Sequence, residues 1–167
     1  MKKLIFSGLS IILLLLSGCG SSVRVFHDLD PTASFDQYHT YSFLDWTDGN
    51  KRTVTEMERE RIRVAIAREI EAKGFTFQQE NADVKIQITV YFRNARRYYN
   101  HHYGFPGSTN NYIERALTVD MFEGSSKKHI WHSAAIGDVA KTPQERAEEL
   151  PEIAMKLFED YPVKQDI

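Results

Sequence analysis

The chain has 167 residues, 21 basic and 23 acidic side chains, a formal net charge of −2 and one cysteine. That balance argues against general nucleic-acid binding, which needs a basic surface, and one thiol excludes an internal disulfide framework. A chain of this length folds as one ordinary domain stabilised by a conventional apolar core.

The chain opens "MKKLIFSGLSIILLLLSGCG". Lys2 and Lys3 precede an apolar run from Leu4 to Leu16, broken only by Ser7, Gly8 and Ser10. As a helix this run rises roughly 20 Å, well short of the ~30 Å hydrocarbon core. It reads as the apolar region of a signal peptide, with Ser17 and Gly18 as the small residues of a cleavage site. Leu16-Ser17-Gly18-Cys19 resembles the bacterial lipobox. The resemblance implies that the Cys19 thiol receives a diacylglycerol, that residues 1–18 are removed, and that the new amino group takes an acyl chain such as palmitate. One such chain binds a membrane marginally, at about 0.8 kcal/mol per buried methylene, so two or three on one residue anchor it stably. Gly20 follows the cysteine where an aspartate would imply inner-membrane retention, so the resemblance points to the outer membrane, facing the periplasm. Cleavage removes two lysines and no acid, which moves the net charge from −2 to −4. Residues 19–23 form a short lipidated tether, and residues 24–163 form one domain.

"VRVFHDLDP" alternates and stops at Pro31, as a first strand does. "TYSFLDW" reads as a second strand closed by the turn signal "TDGN". The spacing of Val54, Met57, Ile62, Ala65, Ile66 and Ile70 predicts a helix over 54–74, with Gly74 just past its end. "ADVKIQITVYF" alternates strictly and predicts a half-buried strand. "YIERALTVDMF" and "HIWHSAAIGDVA" predict two more, joined by the turn "EGSSKK". Thr142, Pro143 and Glu145 predict a capping box that opens a last helix, with a kink or restart at Pro151 and an end at Pro162. The order β-β-α-β-β-β-α predicts an α+β domain of two layers. A mostly antiparallel sheet of about five strands carries two helices on one face.

These residues resemble a family of bacterial lipoproteins, domain of unknown function 4136. The resemblance rests on Asp28, Asp30, Pro31, Phe35, Tyr38, Thr40 and Tyr41 in "DLDPTASFDQYHTYSF". Lys73-Gly74-Phe75, Ala82-Asp83, Trp131 after a hairpin and Tyr161-Pro162 follow in order. It implies a fold and an envelope location, and it transfers no catalytic residue.

The stretch Arg93 to Tyr112 reads as a long loop between two strands. It gathers Arg96, Arg97, Tyr98, Tyr99, His101, His102, Tyr103 and Phe105, side-chain types that anchor interfaces and fork onto carboxylates or phosphates. The Arg96–Tyr103 segment is therefore the candidate contact surface for an envelope protein, a glycan or a lipid headgroup. The alternative reading makes it strand ends extended past the sheet. No metal site is expected. His129 and His132, three apart on a strand, should face opposite sides, and adjacent His101 and His102 chelate poorly. Asp28, Asp30 and Asp36 read as turn-forming carboxylates, and Trp131 reads as core. No nucleophile elbow, phosphate loop or dinucleotide fingerprint is present. The expectation is a lipoprotein anchored at Cys19, with no cofactor and no enzymatic activity, that binds an envelope component. The alternatives are a structural envelope protein without a ligand, or a hydrolase or transferase with a dispersed site.

Overall fold

The computed structural model describes residues 23–99, 108–138 and 142–162. One six-stranded sheet organises them. The strands are β1 (Arg24–Leu29), β2 (Thr40–Phe43), β3 (Thr76–Phe77), β4 (Val84–Tyr99), β5 (Ser108–Glu123) and β6 (His129–Asp138), in the spatial order β1-β6-β5-β4-β2-β3. The helices are α1 (Asp48–Thr53), α2 (Glu56–Ala72) and α3 (Pro143–Leu157). The α+β fold class stands, with six strands where about five were expected and three helices where two were expected. The added strand β3 is only two residues long. The added helix α1 lies where "TDGN" read as a turn.

Along β1-β6-β5-β4 each neighbouring pair is antiparallel. Strand β2 is parallel to both β4 and β3, because the chain crosses over through α2 before it returns. Alternation along β4 sends Val84, Ile86, Ile88 and Val90 to one face, and β5 adds Leu117, Val119 and Met121 to it. Ile62, Ile66 and Ile70 of α2 and Leu150, Ala154 and Leu157 of α3 pack there in one core. Each fully buried isoleucine contributes roughly 1.5–3 kcal/mol, enough for α2 to be fixed by its apolar stripe alone. Met57, expected in that stripe, is instead exposed beside a groove between α2 and α3.

Local chemistry sets the helix ends. The helix expected over 54–74 is α2, and α1 precedes it as a separate element, because Thr47 and Thr55 each cap their own start, accepting from the N–H of Asn50 and of Glu58. Gly74, at φ +93°, ends α2. Its N–H reaches the Glu71 carbonyl at 2.9 Å, and the Phe75 N–H reaches that of Ile70 at 3.4 Å, the paired bonds of a Schellman motif. The expected capping box at Thr142 and Glu145 is present, and α3 continues through Pro151 without restarting.

Candidate functional site

Beyond the core, β4 and β5 keep pairing. The last pair that β5 shares with β6 is Glu114 with Asp138. Past it, among the described residues, Asn94 to Tyr99 pair only with Ser108 to Ile113. This two-stranded arm extends about 20 Å at ~3.4 Å per residue. The stretch expected as a loop over 93–112 is therefore mostly strand. Only residues 100–107 separate its two strands, so the strand ends do extend past the rest of the sheet.

The base of the arm is tied by charge. Glu114, buried on the outer face, pairs with Arg93 and, at 3.5 Å, with Arg24. On the helix side Arg115 meets Glu58 at 2.9 Å and lies over the Phe92 ring at 5.7 Å, while Arg146 holds the same glutamate at 3.1 Å. Burial lowers the Arg115 pKa, and the Glu58 carboxylate opposes that shift. Further out Phe92, Arg96, Tyr98 and Ile113 are all exposed, with Tyr98 65% accessible. Phe92, Arg96 and Tyr98 share one face of β4 by alternation. Of the candidate contact residues, Arg96 and Tyr98 thus project from the arm, and Arg97 and Tyr99 lie within its β4 strand. His101, His102, Tyr103 and the lipidation candidate Cys19 lie outside the described residues.

The arm and the start of β1 share one end of the sheet. Arg24 pairs with Ile136, which pairs with Ala116, which pairs with Tyr91. Val23 packs against Gly137, which is level with Arg115 and Phe92. Strand β1 is parallel in direction to β5, so β1 begins at the end of the sheet from which the arm projects.

The family-motif residues hold the opposite end together. Asp83 accepts hydrogen bonds at 2.9 Å from the His39 N–H, the Thr40 N–H and the Thr40 hydroxyl, and these bonds hold its pKa down. Asp30 accepts from the Thr32 N–H at 2.8 Å and its hydroxyl at 2.7 Å and pairs with Lys128. The Lys128 contact comes first in pulling its pKa from 3.8 to about 2. Tyr38 donates to Glu123 at 3.2 Å, and Tyr41 to Glu71 at 2.8 Å. Trp131 is core, between the rings of His27 at 5.4 Å and Tyr161 at 5.3 Å. The turn reading of Asp30 and the core reading of Trp131 hold. Asp28 lies exposed opposite His132, and Asp36 lies in the middle of a single 3-10 turn, Phe35–Gln37.

The histidine geometry differs from the expectation. Ile130 is inserted between the pairs Met121–Trp131 and Phe122–His129, a β-bulge. The extra residue resets the alternation and brings His129 and His132 to the same side. Asp120 lies between them, its Oδ1 at 3.1 Å from His129 Nε2 and 2.7 Å from His132 Nδ1. Sequence spacing could not find this trio, because one unpaired residue reverses the predicted facing.

Among the described residues no helix is long and apolar enough to cross a membrane. No curated protein matches the chain in sequence. A PDZ domain protein from Parabacteroides distasonis shares the fold, with TM-score 0.57 and 13% identity over 94% of this chain. The chain spans 40% of the length of that protein. A PelC dodecamer from Paraburkholderia phytofirmans aligns with TM-score 0.50 and 12% identity over 86% of this chain and 99% of its own. Residues 25–163 match the model of the domain of unknown function DUF4136, and the chain belongs to that family.

Proposed function

We propose that this protein is a non-enzymatic envelope lipoprotein, held by acylated Cys19 in the outer membrane on the periplasmic side, whose β4–β5 arm rests on the lipid surface. The observation that carries this reading is the shared end of tether and arm. Cys19 lies at most about 14 Å from Val23 along a fully extended chain, at ~3.5 Å per residue. From the level of Val23 the arm continues about 24 Å to Tyr99 and Ser108. An arm longer than the tether meets the surface into which the tether is inserted. Its chemistry suits that surface. Tyrosine settles at the headgroup level, and arginine keeps its charge in water while its stem covers apolar area. Near anionic lipid each basic residue adds about 1 kcal/mol.

A second reading, favoured by the dodecameric state of the Paraburkholderia neighbour, gives the arm to another copy of the chain. An isolated two-stranded ribbon is marginal in water, so either partner would stabilise it.

One experiment separates the two. The lipidated chain has no free thiol, so Tyr98→Cys and Lys127→Cys each take one environment-sensitive dye. After reconstitution in phosphatidylethanolamine–phosphatidylglycerol vesicles, a lipid-borne quencher should quench the dye at position 98 and spare the one at 127. Equal quenching at both positions refutes the lipid contact. Quenching at neither, with a defined oligomer in sedimentation, moves the arm to the second reading. The anchor has its own test: Cys19→Ala should abolish acyl labelling, and labelling that persists removes the lipobox.

A further inference from the structure

We propose that Asp120, His129 and His132 form a binding site for a divalent transition metal, with zinc the best fit to the ligand set. The donor atoms Asp120 Oδ1, His129 Nε2 and His132 Nδ1 all lie within 4.8 Å of one another. A tetrahedral zinc with bonds of about 2.0–2.1 Å separates its donors by roughly 3.3 Å. The separations of 3.1 Å and 2.7 Å approach that value from below. Modest side-chain rotation closes the trio on an ion. Two imidazoles and one carboxylate are borderline donors that suit zinc, iron, nickel or copper and disfavour calcium and magnesium.

The donors are oriented by their surroundings. Phe122 stacks on the His129 ring at 4.8 Å, and the two imidazoles meet edge to face at 6.1 Å. The Thr118 hydroxyl lies 3.5 Å from the second Asp120 oxygen, the position of an outer partner that holds a ligating carboxylate. Strand β5 carries Asp120 and β6 carries His132 as a direct cross-strand pair, while the Ile130 bulge fixes His129 beside them. On β1, Asp28 is the register partner of His132. Asp28 and Asp30 line a shallow cavity of about 210 Å³ with both histidines. Asp30 is committed to Lys128 and Thr32. Asp28 is the available fourth ligand, and without it the fourth position stays open to water. Both histidine side chains remain partly exposed, at 46% and 36%, so an ion can enter. A structural ion-pair role alone would need only one imidazole for the Asp120 charge. The arrangement places two on one carboxylate oxygen.

The site lies at the sheet end away from the tether and does not depend on the arm's role. The test is calorimetric titration of zinc chloride into the full lipidated chain, stripped with chelator and held in detergent, with cobalt(II) absorption as a second readout. About one equivalent should bind saturably, and cobalt should give tetrahedral d–d bands without a sulfur charge-transfer band. Loss of an outer partner costs about 10–100-fold in metal affinity, so removing a direct ligand should cost at least that. His129→Ala, His132→Ala and Asp120→Asn should each weaken binding by that factor, while a His101→Ala/His102→Ala variant keeps it. No saturable uptake overturns the proposal. So does uptake that survives His129→Ala and His132→Ala, or that vanishes with His101→Ala/His102→Ala. Should an alanine variant fail to fold, His129→Asn and the cobalt spectrum of the unaltered chain decide between these outcomes.

Discussion

Asn50→Ala probes how the sheet ends where the arm begins. Strand β2 pairs with β4 only as far as Ile86, with the Leu44 N–H adding one more bond to the Ile86 carbonyl at 2.8 Å. Farther along, α1 supplies the edge instead. The Asn50 amide donates to the Val90 carbonyl at 2.7 Å, and its oxygen accepts from the Val90 N–H at 3.1 Å. Asn50 is 5% exposed and Val90 3% exposed, so water does not replace either bond freely. An unpaired buried polar group costs about 1–3 kcal/mol. Two such groups, partly relieved by water at a sheet edge, give a loss of about 2–4 kcal/mol. At about 2–4 °C per kcal/mol for a domain of this size, the Tm should fall by roughly 5–15 °C. Urea unfolding with an unchanged m value reads the loss directly. Asn50→Asp keeps the acceptor, removes the donor and buries a charge, so it should cost at least as much as alanine. Exposed Lys51→Ala should stay within about 0.5 kcal/mol of the parent. A loss under about 1 kcal/mol for Asn50→Ala at constant m would refute the edge-closing role.

Ile66→Ala deletes a side chain of zero exposure between α2 and the sheet and should cost about 2–5 kcal/mol in urea unfolding, whereas Met57→Ala, at 70% exposure, should be near neutral. Gly124→Ala places its Cβ 2.1 Å from the Ala82 carbonyl oxygen, a backbone clash that should cost about 1–3 kcal/mol or more, seen as a lower Tm with an unchanged sheet signal in circular dichroism. Asp30 and Asp83 have folded pKa values below the ordinary 3.8, so each stabilises above that pH and loses its contribution as the pH falls below it, Asp30 as the pH approaches about 2. Asp30→Asn should therefore flatten the acid limb of the stability–pH profile between about pH 4 and 2, and Asp83→Asn should flatten it below about pH 4. A limb of unchanged steepness in both variants would reassign acid sensitivity to other carboxylates.

Some of this architecture is legible in the sequence, and the reason is physical. Apolar periodicity reports burial. It locates β4 through Ile86 and Ile88, and α2 through Ile62, Ile66 and Ile70, because those residues face the core. Past Phe92 the alternation lapses into Arg93, Asn94, Arg96 and Arg97, since no helix covers the sheet there. Backbone pairing nonetheless continues to Tyr99. A pattern that measures burial is silent about pairing in an uncovered ribbon, so strand reads as loop. Composition points to the exposed residues Arg96 and Tyr98 as contact candidates but not to the paired strands that carry them. The capping box at Thr142 is legible because its chemistry is local, within four residues. Thr47 offers the same local signal before α1, but "DGN" within that helix reads as a turn. His129 and His132 cannot be placed at all without knowing that Ile130 is bulged.

The two ends of the sheet are built differently, and this bears on what each can do. At the end away from the start of β1 three connections converge. Asp30 ties the β1–β2 link to Lys128 of the β5–β6 turn, Tyr38 ties the same link to Glu123, and Asp83 ties the start of β2 to β4. The Gly124 N–H closes on the Asp83 carbonyl at 2.7 Å, and the Asp30 N–H donates to Ile130, the bulged residue, at 3.0 Å. A bulge pinned from β1 is one whose neighbouring side chains are held before any ligand arrives, which is the condition for a preorganised site. The end where β1 begins has the reverse character: two strands, no covering helix among the described residues, and exposed aromatic and basic side chains. Perturbations should therefore separate cleanly. Tyr98→Ser with Arg96→Ser should reduce vesicle contact and leave zinc uptake intact. Asp30→Ala should loosen the bulge and weaken zinc uptake, leaving quenching at a dye on position 98 unchanged. If either change moved both readouts together, the ends would be coupled through the sheet, and the separation of clamp from arm would fail.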